Sequence, residues 1–253
     1  MLTGLAGRRA LVTGASGGLG WSTAAALADE GAEVTIVARS PERLSAAADR
    51  IRVSTPDAVV HTVVADVGDI AGIDAMVAAA EAAMGGVDIL VANAGGPPPG
   101  DFTSTPLDAY MPALQLNLLS TVAMCRAVVP AMRERHWGRV VAITSISVRE
   151  PIGTLILSNT ARAGLTGFLK TLAREVAADG VTVNSLQPGL HATDRLRALH
   201  GDDPSAAARQ IPAGVLGDPD DFGRIAAFVC SDAARFLTGA AIPIDGGAAH
   251  GLQ

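Results

Sequence analysis

Short apolar, β-branched runs alternate along this chain with longer stretches whose apolar residues recur at helical spacing. Runs of Val, Ile and Leu with few polar interruptions suit strands buried on both faces, and intervening helices suit crossovers between parallel strands. The pattern predicts strands near residues 8–13, 33–38, 58–64, 87–92, 138–144, 181–186 and 240–244. Alanine-rich helices are predicted near 18–30, 41–53, 69–84, 108–134, 154–179 and 219–231, alanine being the best helix former. Ser40 and Pro41 mark the start of the second helix as N-cap and first helical residue. The expected architecture is α/β, a doubly wound seven-stranded parallel sheet with helices on both faces, in one domain over 1–253. Gly- and Pro-rich segments at 95–106 and about 190–213 follow predicted strands, where an open α/β sheet forms its ligand crevice.

Composition narrows the function classes. A chain of 253 residues, 49% apolar and 17% charged, can bury a large core. Its net charge of −6 lacks the basic face of a nucleic-acid binder, and Lys170 is the only lysine. No uninterrupted apolar run approaches ~18 residues, so no membrane span is expected. Cys125 and Cys230 lie far apart in apolar helical stretches, which favours two small buried hydrophobes over a disulfide framework or metal site. The expectation is a soluble cytoplasmic protein acting on a small molecule, with no metal, nucleic-acid or membrane partner.

The first strand runs into Thr13-Gly14-Ala15-Ser16-Gly17-Gly18-Leu19-Gly20 and then a helix. Glycines at 14, 18 and 20 permit a tight turn and close backbone approach, while the helix N-terminus supplies N–H donors to an anion. In strand–turn–helix context this is a dinucleotide-binding turn of the Rossmann fold. After the second strand, Val37-Ala38-Arg39-Ser40 carries no carboxylate for a ribose 2′-hydroxyl. A guanidinium at Arg39 and a hydroxyl at Ser40 suit a 2′-phosphate, which favours NADP(H) over NAD(H).

The spacing TGxxxGxG resembles the short-chain dehydrogenase/reductase family, and the resemblance runs through the chain. Asp66-Val67 matches the family's adenine-contacting pair, Asn93-Ala94-Gly95 its NAG motif, Asn117 its helical active-site asparagine and Ser145 its catalytic serine. Pro188-Gly189 with Thr193 matches the nicotinamide-holding segment, and Ile244-Asp245-Gly246-Gly247 the closing strand and turn. The resemblance implies carbonyl reduction or alcohol oxidation, with a tyrosine moving the proton and a lysine tuning that tyrosine and holding the ribose. It also implies a homotetramer or homodimer built on the helices at 108–134 and 154–179.

Counting on from Ser145 to the tyrosine position reaches Ser158, and the lysine position is Arg162. The text Leu157-Ser158-Asn159-Thr160-Ala161-Arg162-Ala163-Gly164 overlays the family's helix without a gap, and the only tyrosine, Tyr110, lies on an earlier helix. The same text is similar to a 3-oxoacyl-carrier-protein-reductase-like branch of the family. An aliphatic hydroxyl is far less acidic than a phenol, and an arginine with pKa above ~12 shuttles no proton. Three readings follow. A water held by Asn117, Ser145 and Ser158, or the imidazole of His191, supplies the proton to an otherwise ordinary reaction. Alternatively the scaffold runs a non-redox reaction, such as dehydration, isomerisation, cyclisation or dehalogenation, at Ser145, Ser158 and Arg162. The last reading is a non-catalytic cofactor-binding subunit. Arg195 and Arg197, beside Leu196 and Leu199, mark a lid that can meet an acidic substrate or remain solvated.

Overall fold

A computed structural model describes residues 3–194, 196–197 and 204–251. Seven strands form one parallel sheet: β1 (Arg9–Thr13), β2 (Glu33–Ala38), β3 (Val60–Val64), β4 (Ile89–Ala92), β5 (Gly138–Ile143), β6 (Val181–Pro188) and β7 (Ala241–Ile244). Their order across the sheet is β3-β2-β1-β4-β5-β6-β7, and every pairing is parallel. The chain reverses its direction of progress across the sheet between β1 and β4, so the strand ends part there and leave a crevice.

Period-two alternation sends successive strand residues into two cores. Ala10 and Val12 face one core with Val34 and Ile36, while Leu11 faces the other with Leu90 and Val140. The first core is closed by α1 (Gly18–Asp29), α2 (Pro41–Ser54) and, later in the chain, the helix Pro219–Cys230. The second is closed by α3 (Ile73–Met84), α5 (Ser120–Glu134) and α6 (Ile156–Val176). Further helices with described bounds are α4 (Tyr110–Leu114), the short α7 (Pro204–Ala208) and α8, which is the Pro219–Cys230 helix just named. Cys125 and Cys230 are both free and buried in these cores, and burial pushes each thiol up to about 12.

The predicted helix at 108–134 is interrupted. Between α4 and α5 the backbone adopts a π-helical turn over Gln115–Leu119, with buried Asn117 at its centre. Periodicity alone does not separate this from a straight helix, because a single π turn of five residues is shorter than the window over which a helical period is read. The stretch Leu107–Glu134 is long and apolar enough by composition to cross a membrane. In this fold its Met124, Val128 and Met132 lie in the second core, which accounts for the hydropathy.

The opposite end of the sheet is tied by a charge cluster. The Asp88 carboxylate, just before β4, takes two hydrogen bonds from the Arg9 guanidinium at 2.7 Å each and one from the Arg9 main-chain N–H at 3.2 Å. Arg135 adds a second cation at 3.3 Å. Burial pushes the Asp88 carboxyl up, but the hydrogen bonds and charges of Arg9 and Arg135 outweigh it and leave it below its ordinary 3.8. A depressed carboxylate contributes stability that is present above its unfolded pKa and lost as pH falls through its folded one. Asp88→Asn should therefore cost about 2 kcal/mol at neutral pH. The difference from wild type should shrink below about pH 4, as urea unfolding across this range will measure.

Candidate active site

The crevice at the strand switch is built by one asparagine. Asn93, at the end of β4, donates from Nδ2 to the Gly14 carbonyl at 3.1 Å. Its main-chain N–H donates to Thr13 Oγ1 at 3.0 Å, and the Thr13 hydroxyl donates back to the Asn93 carbonyl at 2.8 Å. The glycine turn leaving β1 is thus stapled to β4. The turn tolerates no added methyl at two places. A Cβ on Gly20 would stand 2.5 Å from the Gly14 oxygen and 2.6 Å from Asn93 Nδ2, and one on Gly14, whose φ is +60°, 2.8 Å from the same amide.

Helix α1 begins at this turn with Gly17 as its N-cap and no side-chain cap, so its first N–H groups face the crevice open to an anion. The first turn of α1 holds no acidic residue. Ser16, Gly17, Gly18 and Leu19 line the half-buried rim of the turn. Thr193 closes over it, its methyl 3.6 Å from the Cβ position of Gly18. Gly189 donates its N–H to the Ile244 carbonyl at 2.9 Å, which ties the Pro188-Gly189 bend to β7. On the β2 side, Arg39 and Asp66 are exposed and face each other at 3.8 Å, Asp66 accepts the Gly68 N–H, and Val67 is buried. These residues fit a dinucleotide: an uncapped helix N-terminus for a pyrophosphate, a turn with no side chains in the way, and cations at the edge.

The same asparagine links this cradle to the reactive end. Beyond Asn93 and Ala94, the Gly95 carbonyl accepts Asn117 Nδ2 at 2.8 Å, which holds the π-helical turn against the β4 loop. Asn117 Oδ1 is buried without a protein partner. The π turn and the short turn after Ser145 both pack on α6, which carries Ser158 and Arg162, each 7% exposed. Ser145 Oγ accepts the Ser147 N–H at 3.1 Å. Arg162 Nη1 donates to the carbonyls of Ile143 (2.9 Å) and Thr144 (3.1 Å), the last two before Ser145. One guanidinium nitrogen is therefore spent fixing the strand end that presents the serine.

Two expected site residues have local partners. Ser40 caps α2 as its sequence context predicts: its hydroxyl donates to Glu42 at 2.8 Å while its oxygen accepts the Arg43 N–H at 3.2 Å. His191 is packed, its ring edge-on to Phe222 of α8 at 5.2 Å between centroids and crowded onto Gly217, where a Cβ would approach it within 2.6 Å. Nδ1 lies 3.2 Å from the Gly189 carbonyl, and burial holds the imidazole below its ordinary 6.5. The ring is thus part of the packing between the loop and α8, and its burial disfavours the charged form. Of the residues expected to form a lid, Arg197 pairs with Asp194 at 2.9 Å on the surface, while Arg195 and Leu199 lie outside the described residues.

Sequence reasoning missed Arg149. Its Nε donates to Gln187 Oε1 at 2.7 Å and its Nη2 to the Ala241 carbonyl at 2.5 Å, tying the segment after Ser145 to β6 and β7. Positions 38 and 92 residues apart leave no local signal of such a bond.

Known proteins agree with this geometry. A family model described as Enoyl-(Acyl carrier protein) reductase matches residues 14–249. The 3-oxoacyl-[acyl-carrier-protein] reductase FabG of Escherichia coli is 36% identical over 241 residues, spanning 95% of this chain and 97% of that protein. L-sorbose reductase from Gluconobacter frateurii, solved with NADPH and L-sorbose, superposes with a TM-score of 0.93 at 31% identity over the full length of both chains. An NADPH-bound short-chain oxidoreductase from Pseudomonas aeruginosa, described as containing an atypical catalytic center, gives 0.91 at 33% identity over 96% of this chain and 97% of that one. The chain belongs to the short-chain dehydrogenase/reductase family. In this family setting, Gly20→Ala should weaken dinucleotide binding by at least about 100-fold, because the colliding atoms are main chain and a fixed amide. Fluorescence titration with NADPH, alongside thermal unfolding to measure any loss of the fold, checks it.

Proposed function

We propose that the chain is a cytoplasmic NADP(H)-dependent reductase or dehydrogenase of a small carbonyl or alcohol compound, in which water takes over the proton transfer. The observation that carries the redox reading is the open N-terminus of α1 over a glycine turn stapled by Asn93. The fit to NADPH-bound relatives supports the phosphorylated cofactor. NADPH held by this cradle would supply a hydride to a carbonyl carbon, and the protein would have to deliver a proton to the oxygen. Asn117 Oδ1, buried and unpartnered, is an acceptor suited to one hydrogen of a water. In the proposed arrangement that water also bonds Ser158 and gives its other proton to the substrate oxygen, which Ser145 orients, and the hydroxide left behind is reprotonated from solvent through the open crevice. Arg162 adds a fixed positive charge that steadies a developing alkoxide, a guanidinium being a group that proteins do not deprotonate.

Water is a weaker acid than a phenol tuned toward neutrality, so the reaction should be slow and insensitive to pH. With 3-oxoacyl thioesters and keto sugars as probes, kcat should stay flat between about pH 6.5 and 9, where a tuned tyrosine or an ordinary histidine would titrate. Replacing Ser158 by Tyr together with Arg162→Lys should raise kcat about 10-fold or more and introduce a titration. An unchanged rate and profile would place proton transfer elsewhere. Failure to bind NADPH or NADH at all would favour non-redox chemistry at Ser145, Ser158 and Arg162.

We also propose self-association through α5 and α6. Between them runs a shallow apolar groove of about 320 Å3, lined by Val129, Pro130, Phe168 and Leu172 and edged by Arg126 and Glu175. A groove bearing both charges is self-complementary under a two-fold axis, and a second pair of contacts would close a tetramer. Light scattering should give four times the 25.5 kDa chain mass. A mass of one chain would contradict it.

A further inference from the structure

Two loops leave neighbouring strand ends at the reactive side of the crevice. Ser145 follows β5, the Pro188-Gly189 bend ends β6, and the register between these strands runs out at Ile143 and Leu186. Thr144 adds its main-chain N–H and its hydroxyl to the Leu186 carbonyl, at 2.8 and 3.2 Å. Past that point side chains bridge the two segments. Arg149 donates to Gln187 Oε1 at 2.7 Å, one residue before the bend, and also to the Ala241 carbonyl on β7. Gln187 is fully buried and its Nε2 has no protein partner, so the bond from Arg149, which carries donors only, orients the amide. Glu150 makes a second tie. Its carboxylate accepts the main-chain N–H groups of His250 and, at 2.8 Å, of Gly251, and lies 3.1 Å from His250 Nδ1. The segment it grips begins at Ile244, whose carbonyl accepts the Gly189 N–H at 2.9 Å, and is folded back by Asp245, whose carboxylate accepts the N–H groups of Gly247 and Ala249 at 2.9 Å each.

We propose that Arg149 and Glu150 are positioning residues that fix the separation of Ser145 from the Pro188-Gly189 bend, and with it the alignment of the substrate oxygen and the nicotinamide, an inference that rests on the cofactor reading above. The argument is geometric. That reading sets the nicotinamide against one loop and the substrate oxygen against the other, so the gap between the loops governs the reacting distance. A misplacement of about 1 Å at such a point costs on the order of 100-fold in rate. The β5–β6 register is complete without either side chain, so what the pair holds is the loops. Arg149 grips the bend from its leading side through Gln187, and Glu150 from its trailing side through the segment after Ile244. The contacts from His250 and Gly251 hold the Glu150 carboxyl below its ordinary 4.5, which keeps it an acceptor.

The test compares the full chain with Arg149→Met, Gln187→Met and the double variant, each checked for folding by thermal unfolding. Arg149→Met should lower kcat about 10-fold or more and leave the NADPH Kd within about twofold, since Asn93 and not Arg149 holds the glycine turn. Arg149→Lys, which keeps a donor toward Gln187, should recover part of that loss. The double variant should lose less than the product of the two single losses, as partners in one bond do. Amide hydrogen exchange without cofactor reads the same tie independently of turnover: Arg149→Met and Glu150→Ala should each quicken Val148 and Gly189 while leaving Ala15 unchanged. An unchanged kcat in Arg149→Met, losses that multiply, a fall in NADPH affinity matching the fall in kcat, or quickening at Val148 alone would overturn the assignment. If Arg149→Met does not fold, Gln187→Met breaks the same bond from the other side and carries the same expectations. A wild type that binds neither NADPH nor NADH would sink the cofactor reading and this proposal with it, a result distinct from an unchanged kcat in Arg149→Met, which sinks the proposal alone.

Discussion

Everything at the top of this sheet depends on how closely the end of β4 approaches the end of β1. Asn93 reaches across that gap to the Gly14 carbonyl, and its own main chain exchanges hydrogen bonds with the Thr13 hydroxyl. The approach leaves no room for a Cβ on Gly14 or Gly20, so these glycines and the asparagine form one packing unit. Once the turn is fixed, α1 must start over the crevice with its N–H groups bare, which makes an anion site out of backbone alone. Two residues further along, Gly95 passes the constraint to Asn117 and the π-helical turn. Cofactor cradle and reactive end are held by one continuous run of hydrogen bonds.

Much of this was legible in the sequence because it is local. Each strand is a short apolar run bounded by turn residues, and the glycine turn is a contiguous word, so all seven strands fell within two residues of where the pattern put them. Bonds between distant positions were not legible. Nothing in the text around Arg149 points to Gln187, nothing around Asp88 points to Arg9 and Arg135, and the π turn hides inside an apolar period that a straight helix would share. The packing of His191 was equally illegible, since nothing in the text around it points to Phe222 or Gly217, against which its ring lies.

In the reading proposed above, the chemistry turns on α6, which carries two buried side chains, an aliphatic hydroxyl at Ser158 and a guanidinium at Arg162. Arg162 also has a structural duty, because its donations to the carbonyls of Ile143 and Thr144 secure the strand end beneath Ser145. A substitution at 162 therefore acts on both the charge beside the site and the anchoring of the serine, so its effect need not add to that of one at 158.

The central claim is that a complete dinucleotide cradle operates beside a proton site that uses water. A crystal structure of the chain with NADPH tests it most directly. The account predicts the pyrophosphate on the N–H groups of Gly17, Gly18 and Leu19, and an ordered water bonded to Asn117 Oδ1 within hydrogen-bond reach of a carbonyl oxygen placed at the nicotinamide. A pyrophosphate bound away from that turn, or a protein side chain other than Ser145 or Ser158 standing where the water belongs, would contradict it.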